Sequence, residues 1–153
     1  MTAVEYLARA QSAYTAKAYG EALAIIADAE IDGKACPECL ILKGACIQLA
    51  SETDFPIERA LQIYDELLVQ QPRNARAWLE KGFFLLNVSD SPERANACFS
   101  KAAELTAEIL EETLLGLAKS ATESGTPRPS ALGDIEARLA EILNRIRQRI
   151  DLT

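Results

Sequence analysis

The sequence predicts an all-α fold, and three observations support this prediction. The 153 residues are rich in alanine and leucine and poor in valine, which favours helices because Ala and Leu lose little conformational freedom in them. Apolar residues recur at steps of three and four, the spacing of one helix face. A pattern of small and large residues also recurs along the chain, as is typical of helical-repeat proteins.

Three segments follow one template, in which small and large side chains occupy equivalent offsets. The clearest segment runs from Ala75 to Leu105, and its template positions are Trp78, Gly82, Leu85, Ala95, Phe99 and Ala102. The segment before it places Leu40, Gly44, Ile47, Ala60, Tyr64 and Leu67 there. The first segment has Tyr6, Ala10, Ala13, Tyr19, Ala22, Ile26 and Ala29. We expect the small residues to lie where two helices of a hairpin cross closely, with the large residues filling the gaps.

These segments resemble the tetratricopeptide repeat (TPR), a helix–turn–helix unit of roughly 34 residues with the pattern W-x2-L-G-x2-Y, then A-x3-F, then P. The second segment closes on Pro72, which ends a helix. Two insertions, in residues 51–56 and 87–92, lengthen turns and leave the packing faces in phase. The family's usual leucine is replaced by a basic residue in each segment, at Arg9, Lys43 and Lys81.

The resemblance covers roughly residues 2–121 and implies a right-handed α-solenoid of three TPR-like helical hairpins plus a seventh helix. The hairpins are expected at about 2–34, 35–74 and 75–106, and the seventh helix, from a degenerate fourth repeat, at 107–121. Together these elements make a repeat domain over residues 1–121. Residues 122–131, rich in proline and hydroxyl side chains, predict a loop.

A C-terminal amphipathic helix is predicted over residues 132–151, because apolar residues recur there at helical spacing. We expect it to be a capping helix that covers the last repeat, as solenoids require. Two alternatives stay open. The helix could form the seam of a homodimer, or it could fold back into the concave groove of its own chain.

The resemblance also implies where a ligand would bind, because the first helix of each hairpin lines the inner surface in this family. The apolar residues that this register places inward define the predicted groove: Leu7, Tyr14, Ile41, Leu42, Leu49, Leu79, Phe83, Leu86, Leu110, Leu114 and Leu117. Polar residues share the inward register at Gln11, Thr15, Glu38, Gln48, Arg76, Glu80 and Asn87. Members of the family that clamp acidic peptides use basic residues where this chain has Leu, Ile and Phe, so we expect an apolar segment of a partner instead. The same residues could alternatively be plain core.

Enzyme chemistry is not expected. The chain has no histidine, which removes the commonest general base and metal ligand, and it has no glycine-rich phosphate loop. Cys36 and Cys39 form a C-x-x-C, but a zinc site needs two further ligands. We therefore expect no cofactor and regard these cysteines as weak metal candidates. The net charge of −7 argues against a nucleic-acid partner.

The N-terminal residues predict no signal peptide, and no apolar run is long enough to span a bilayer. We therefore expect a cytoplasmic protein with reduced thiols. The function that these patterns favour is that of an adaptor or dedicated chaperone, similar in size and groove chemistry to small bacterial chaperones of secretion-system subunits. The first alternative is a structural module that self-associates through its C-terminal helix. A Cys-based metal-binding protein is the second.

Overall fold

The computed structural model describes residues 1–124 and 130–150, and all regular secondary structure in these residues is helical. This confirms the all-α class. The described residues form seven helices: α1 (Ala3–Thr15), α2 (Tyr19–Ile31), α3 (Pro37–Leu49), α4 (Glu58–Gln70), α5 (Ala75–Asn87), α6 (Pro92–Ser124) and α7 (Ser130–Ile150). They divide into two compact units, Met1–Thr106 and Ala107–Thr153.

Local sequence explains where several helices begin. Thr2 and Glu5 form a capping box at the start of α1: the Glu5 amide donates to the Thr2 hydroxyl at 3.2 Å, and the Thr2 amide donates to the Glu5 carboxylate at 2.7 Å. Asn74 caps α5 by accepting a hydrogen bond from the Ala77 amide at 3.0 Å. Such caps satisfy amides that have no partner within the helix.

In the first unit, α1 packs on α2 and α3 packs on α4, so both pairs are helical hairpins. The hairpins also contact each other: α2 packs on α3, α4 packs on α5, α1 packs on α3, and α3 packs on α5. The core runs through these contacts. Its largest fully buried side chains are those of Ile26, Cys39, Cys46, Ile47, Tyr64, Leu85 and Leu105.

The two glycines of the repeat pattern lie at close helix crossings, which confirms the prediction for these positions. A Cβ atom built on Gly44 would lie 2.6 Å from the Tyr64 ring, and one built on Gly82 would lie 2.7 Å from the Phe99 ring. Real Cβ atoms do not approach other atoms so closely. The large aromatic side chain of the second helix therefore fits only because the first helix has no side chain there.

Two of the three basic residues at the leucine position of the repeat pattern, Lys43 and Lys81, form ion pairs between neighbouring hairpins. The buried Lys43 ammonium lies 2.7 Å from the Glu30 carboxylate of α2 and 4.9 Å from the centre of the Phe55 ring. In the next hairpin, Lys81 pairs with Asp65 of α4 at 2.6 Å. In both cases the aliphatic stem can pack as a leucine would, while the charged head finds an acid on the preceding helix.

The predicted break between a sixth and a seventh helix near residue 106 is wrong, because α6 is one helix from Pro92 to Ser124. Residues 102–108 contain only helix-forming Ala, Glu and Leu with a single Thr, so nothing interrupts the backbone hydrogen bonds. The loop predicted at 122–131 is also too long, since its first three residues belong to α6 and its last two to α7. Residues 125–129 of that loop and residue 151 of the predicted last helix lie outside the described residues.

Burial of two thiols predicts an alkaline loss of stability. Burial raises the pKa of Cys39 and of Cys46 to about 11, from an ordinary value of 9.0. Because the folded chain then holds these protons more tightly than the unfolded chain, the stability that the two thiols contribute is constant below pH 9 and is lost as the pH rises towards 11. Each shift corresponds to at most roughly 3 kcal/mol.

The measurement is the urea midpoint of the wild type and of Cys46→Ala at pH 8 and pH 10.5. We expect the wild type to lose more stability between these two pH values than the variant does. Equal losses in both proteins would contradict the assignment to this thiol.

Candidate functional site

A cleft of about 590 Å³ opens between α1, α3 and α5, the first helices of the three predicted hairpins. The residues that line this cleft are Ala8, Gln11, Ser12, Tyr14, Thr15, Glu38, Ile41, Leu42, Ala45, Arg76 and Glu80. Its volume is in the range of ligand-binding pockets.

Apolar side chains form the floor of the cleft. Ile41 is buried, while Leu42 and Tyr14 are half-buried and pack against the core. The Tyr14 ring contacts the Tyr19 ring edge to face, with centroids 5.6 Å apart. Because these groups rest on fixed core contacts, they offer a surface that is already organised before a ligand arrives.

The rim of the cleft is polar, and one of its carboxylates, that of Glu80, is held in an ion pair. Arg76 and Glu80, one turn apart on α5, form an ion pair at 2.7 Å, in which the Glu80 side chain is 15% exposed and that of Arg76 is 67% exposed. Glu38 on α3 is exposed. Burial and then the charge of Glu80 raise the pKa of Tyr14 above its usual 10.0. The cleft therefore presents a phenol that stays neutral at neutral pH, beside the side chains of Glu38 and Glu80.

The cleft contains only part of the predicted groove. Tyr14, Ile41 and Leu42 line it, together with five polar residues of the inward register, whereas Gln48 and Asn87 of that register do not. Four other apolar groove residues of the first unit do not line the cleft. Leu7 packs against the core instead, and Leu49, Phe83 and Leu86 are exposed to solvent. Leu79 is half-buried and lies outside the lining as well. The cleft is thus more polar than the groove that the sequence predicts.

The three remaining groove residues, Leu110, Leu114 and Leu117, belong to the second unit. They recur at helical spacing on α6 and are half-buried. On α7, Leu139, Leu143 and Ile146 are between 39% and 51% exposed. No described side chain in residues 107–123 or 133–149 is buried, so the apolar stripes of this unit stay partly open to solvent.

The cysteine pair lies at the start of α3, where Cys36 is the N-cap residue and Pro37 follows it. The two Sγ atoms are 3.2 Å apart, and both thiols are free. Among the described residues, no group of three or more His, Cys, Asp or Glu side chains is arranged to hold a metal ion. The pair therefore has no further ligands within the part of the chain that the structure describes.

Comparisons with known proteins identified no family for this chain. A scan against protein-family models, a search of curated proteins and a search of solved structures each found no match. Over the described residues, every helix falls short of the length and apolar character that crossing a membrane requires.

Proposed function

We propose that this chain is a protein-binding module, an adaptor or dedicated chaperone, which holds a segment of another protein in the cleft between α1, α3 and α5. The observation that carries the proposal is the arrangement of the cleft, with an apolar floor on the core and a polar rim that includes Glu80. Binding sites for protein segments combine these two features, since apolar burial supplies affinity and polar groups fix orientation.

The packing of the hairpins supports an α-solenoid with TPR-like repeats as the frame of this site. Each hairpin contacts the next, and the first helices of successive hairpins also contact one another. In a stack of this kind the first helices share one surface, and partners bind along such surfaces. We propose that the module acts without catalysis and without a cofactor, as the lack of histidine suggests.

The chemistry of the cleft favours one class of occupant, an apolar segment that also carries a basic residue. Leu42 and Tyr14 provide contact for aliphatic or aromatic side chains. Glu38 and Glu80 provide negative charge at the rim, and Arg76 neutralises only one of them. A lysine or arginine of the partner near Glu38 would complete this arrangement, because complementary charge orients a bound segment.

Selection from a random-peptide display library tests the proposal without knowledge of the natural partner. We expect the wild type to enrich peptides with two or more large apolar residues and a lysine or arginine. A parallel selection with Ala8→Arg, which places a long side chain in the cleft from an exposed helix position, should not enrich them. Identical peptides from both proteins would show that the cleft is not the binding site.

A second candidate function is self-association through the second unit, and the open apolar stripe on α7 favours it. A helix pair that buries none of its described side chains gains little from folding alone. A second copy of the chain would supply a matching stripe, because two-fold contacts use the same surface on both subunits.

The test of this candidate is light scattering over a range of concentrations. We expect the wild type to reach the mass of a dimer and the Ile146→Glu variant, or a chain that lacks residues 131–153, to remain monomeric. Since Ile146 is 47% exposed, its replacement leaves the fold in place. A wild type that is monomeric at every concentration would contradict this candidate.

A further inference from the structure

The two cysteines at the start of α3 lie close enough to react with each other. Their Sγ atoms are 3.2 Å apart, whereas a disulfide bond measures about 2.05 Å. Bond formation therefore requires the sulfurs to approach by roughly 1 Å. The first turn of a helix allows such a movement, because Cys36 has non-helical N-cap backbone angles and makes no side-chain capping bond that would have to break.

The two thiols differ in their access to solvent. Cys36 is half-buried, while Cys39 is fully buried and burial raises its pKa to about 11. A reagent from solution therefore meets Cys36 first. Cys46 and Cys98 are both buried, and Cys46 lies about 10 Å beyond Cys39 along α3. Burial keeps both of these thiols from competing for a reagent in solution.

We propose that Cys36 and Cys39 form a reversible disulfide in the folded chain, with a low-molecular-weight disulfide such as oxidised glutathione as the oxidant. The Cys36 thiolate attacks one sulfur of the oxidant and expels one molecule of reduced thiol. The Cys39 thiolate then attacks the Cys36 sulfur and expels the second molecule. Two protons and two electrons leave the cysteine pair, and both are recovered in the two thiols that are released.

This pair also lies beside the cleft, because Glu38 stands between the two cysteines and lines the cleft rim. A disulfide would fix the first turn of α3 and with it the position of this carboxylate. The reduced and oxidised chains should then differ by about threefold or more in affinity for a selected peptide. This consequence rests on the function proposed above, whereas the formation of the bond does not.

Mass spectrometry tests the bond directly. Native wild type is incubated with oxidised glutathione, and the remaining thiols are alkylated after unfolding. We expect the loss of two hydrogens, with both affected cysteines in the tryptic peptide of residues 35–43 and with Cys46 and Cys98 alkylated. Dithiothreitol should reverse the change. Cys36→Ser, which keeps a good N-cap residue, should lose no hydrogens.

Three results would overturn the proposal: an unchanged mass, a lasting glutathione adduct on Cys36, or a bond to Cys46 or Cys98. If the bond forms and peptide affinity stays the same in both forms, the link to the cleft is wrong while the reversible bond stands. A reduced chain that selects no peptide counts against the proposed function alone.

Discussion

Gly44→Ala is expected to lower the free energy of unfolding by about 2 kcal/mol. The added methyl group would lie 2.6 Å from the Tyr64 ring, whose atoms are fully buried and have no room to retreat. The ring is also held by a hydrogen bond in which the Gln48 amide donates to its hydroxyl at 3.0 Å. Urea unfolding followed by circular dichroism measures the change.

The effect of Gly44→Ala on the free energy of unfolding should change sign when the Tyr64 ring is removed. The atoms that meet the new methyl group are Cε1, Cζ and Oη of Tyr64, and leucine has none of them. In a Tyr64→Leu background, Gly44→Ala should therefore stabilise the chain slightly, because alanine favours helix by up to about 1 kcal/mol over glycine. Gly20→Ala is the matched control, since a Cβ at Gly20 meets nothing within 4 Å. A loss of the same size in both backgrounds would show that the close crossing is not the cause.

Ala8→Arg is expected to weaken the binding of a selected peptide about 30-fold or more, which corresponds to roughly 2 kcal/mol. Ala8 is exposed and lines the cleft, so the arginine occupies the space of the peptide and leaves the core intact. Glu38→Gln should weaken peptides with a basic residue about tenfold, because Glu38 is the rim carboxylate that Arg76 does not neutralise. The affinity for peptides without a basic residue should fall much less. Fluorescence anisotropy of labelled peptides gives these affinities.

Leu86→Glu is the matched control for the cleft variants. Leu86 belongs to the groove that the sequence predicts but does not line the cleft, and it is 42% exposed. Its replacement should leave affinity unchanged and the fold intact. Strong loss in Leu86→Glu together with full binding by Ala8→Arg would move the site to the exposed face of α5.

The close helix crossings of the first unit could be predicted, because small residues such as Gly44 and Gly82 mark them in the sequence. The caps at Thr2 and Asn74 became evident only in the structure. The continuity of α6 could not be predicted in the same way. The TPR-like pattern requires a turn near residue 106, but the local residues favour helix, and the local preference decided the outcome.

The sequence could predict which residues of the candidate site share a helix face, but not which of them remain accessible in the cleft. A helical repeat indicates which residues share a face, and this placed Tyr14, Leu42 and Glu80 together. It does not show which of them a neighbouring helix covers. The Phe83 ring, for example, lies against the Phe99 ring of α6 with centroids 5.1 Å apart, and so contributes to that contact and not to the cleft.

The most direct test of the central claim is to map a selected peptide on the chain by amide chemical shifts. The proposed function predicts that the largest shifts occur at cleft residues of all three helices, such as Gln11, Leu42 and Glu80, and that residues 133–149 are unaffected. Shifts confined to α7, or to Phe83 and its exposed neighbours, would contradict the assignment of the cleft as the partner-binding site.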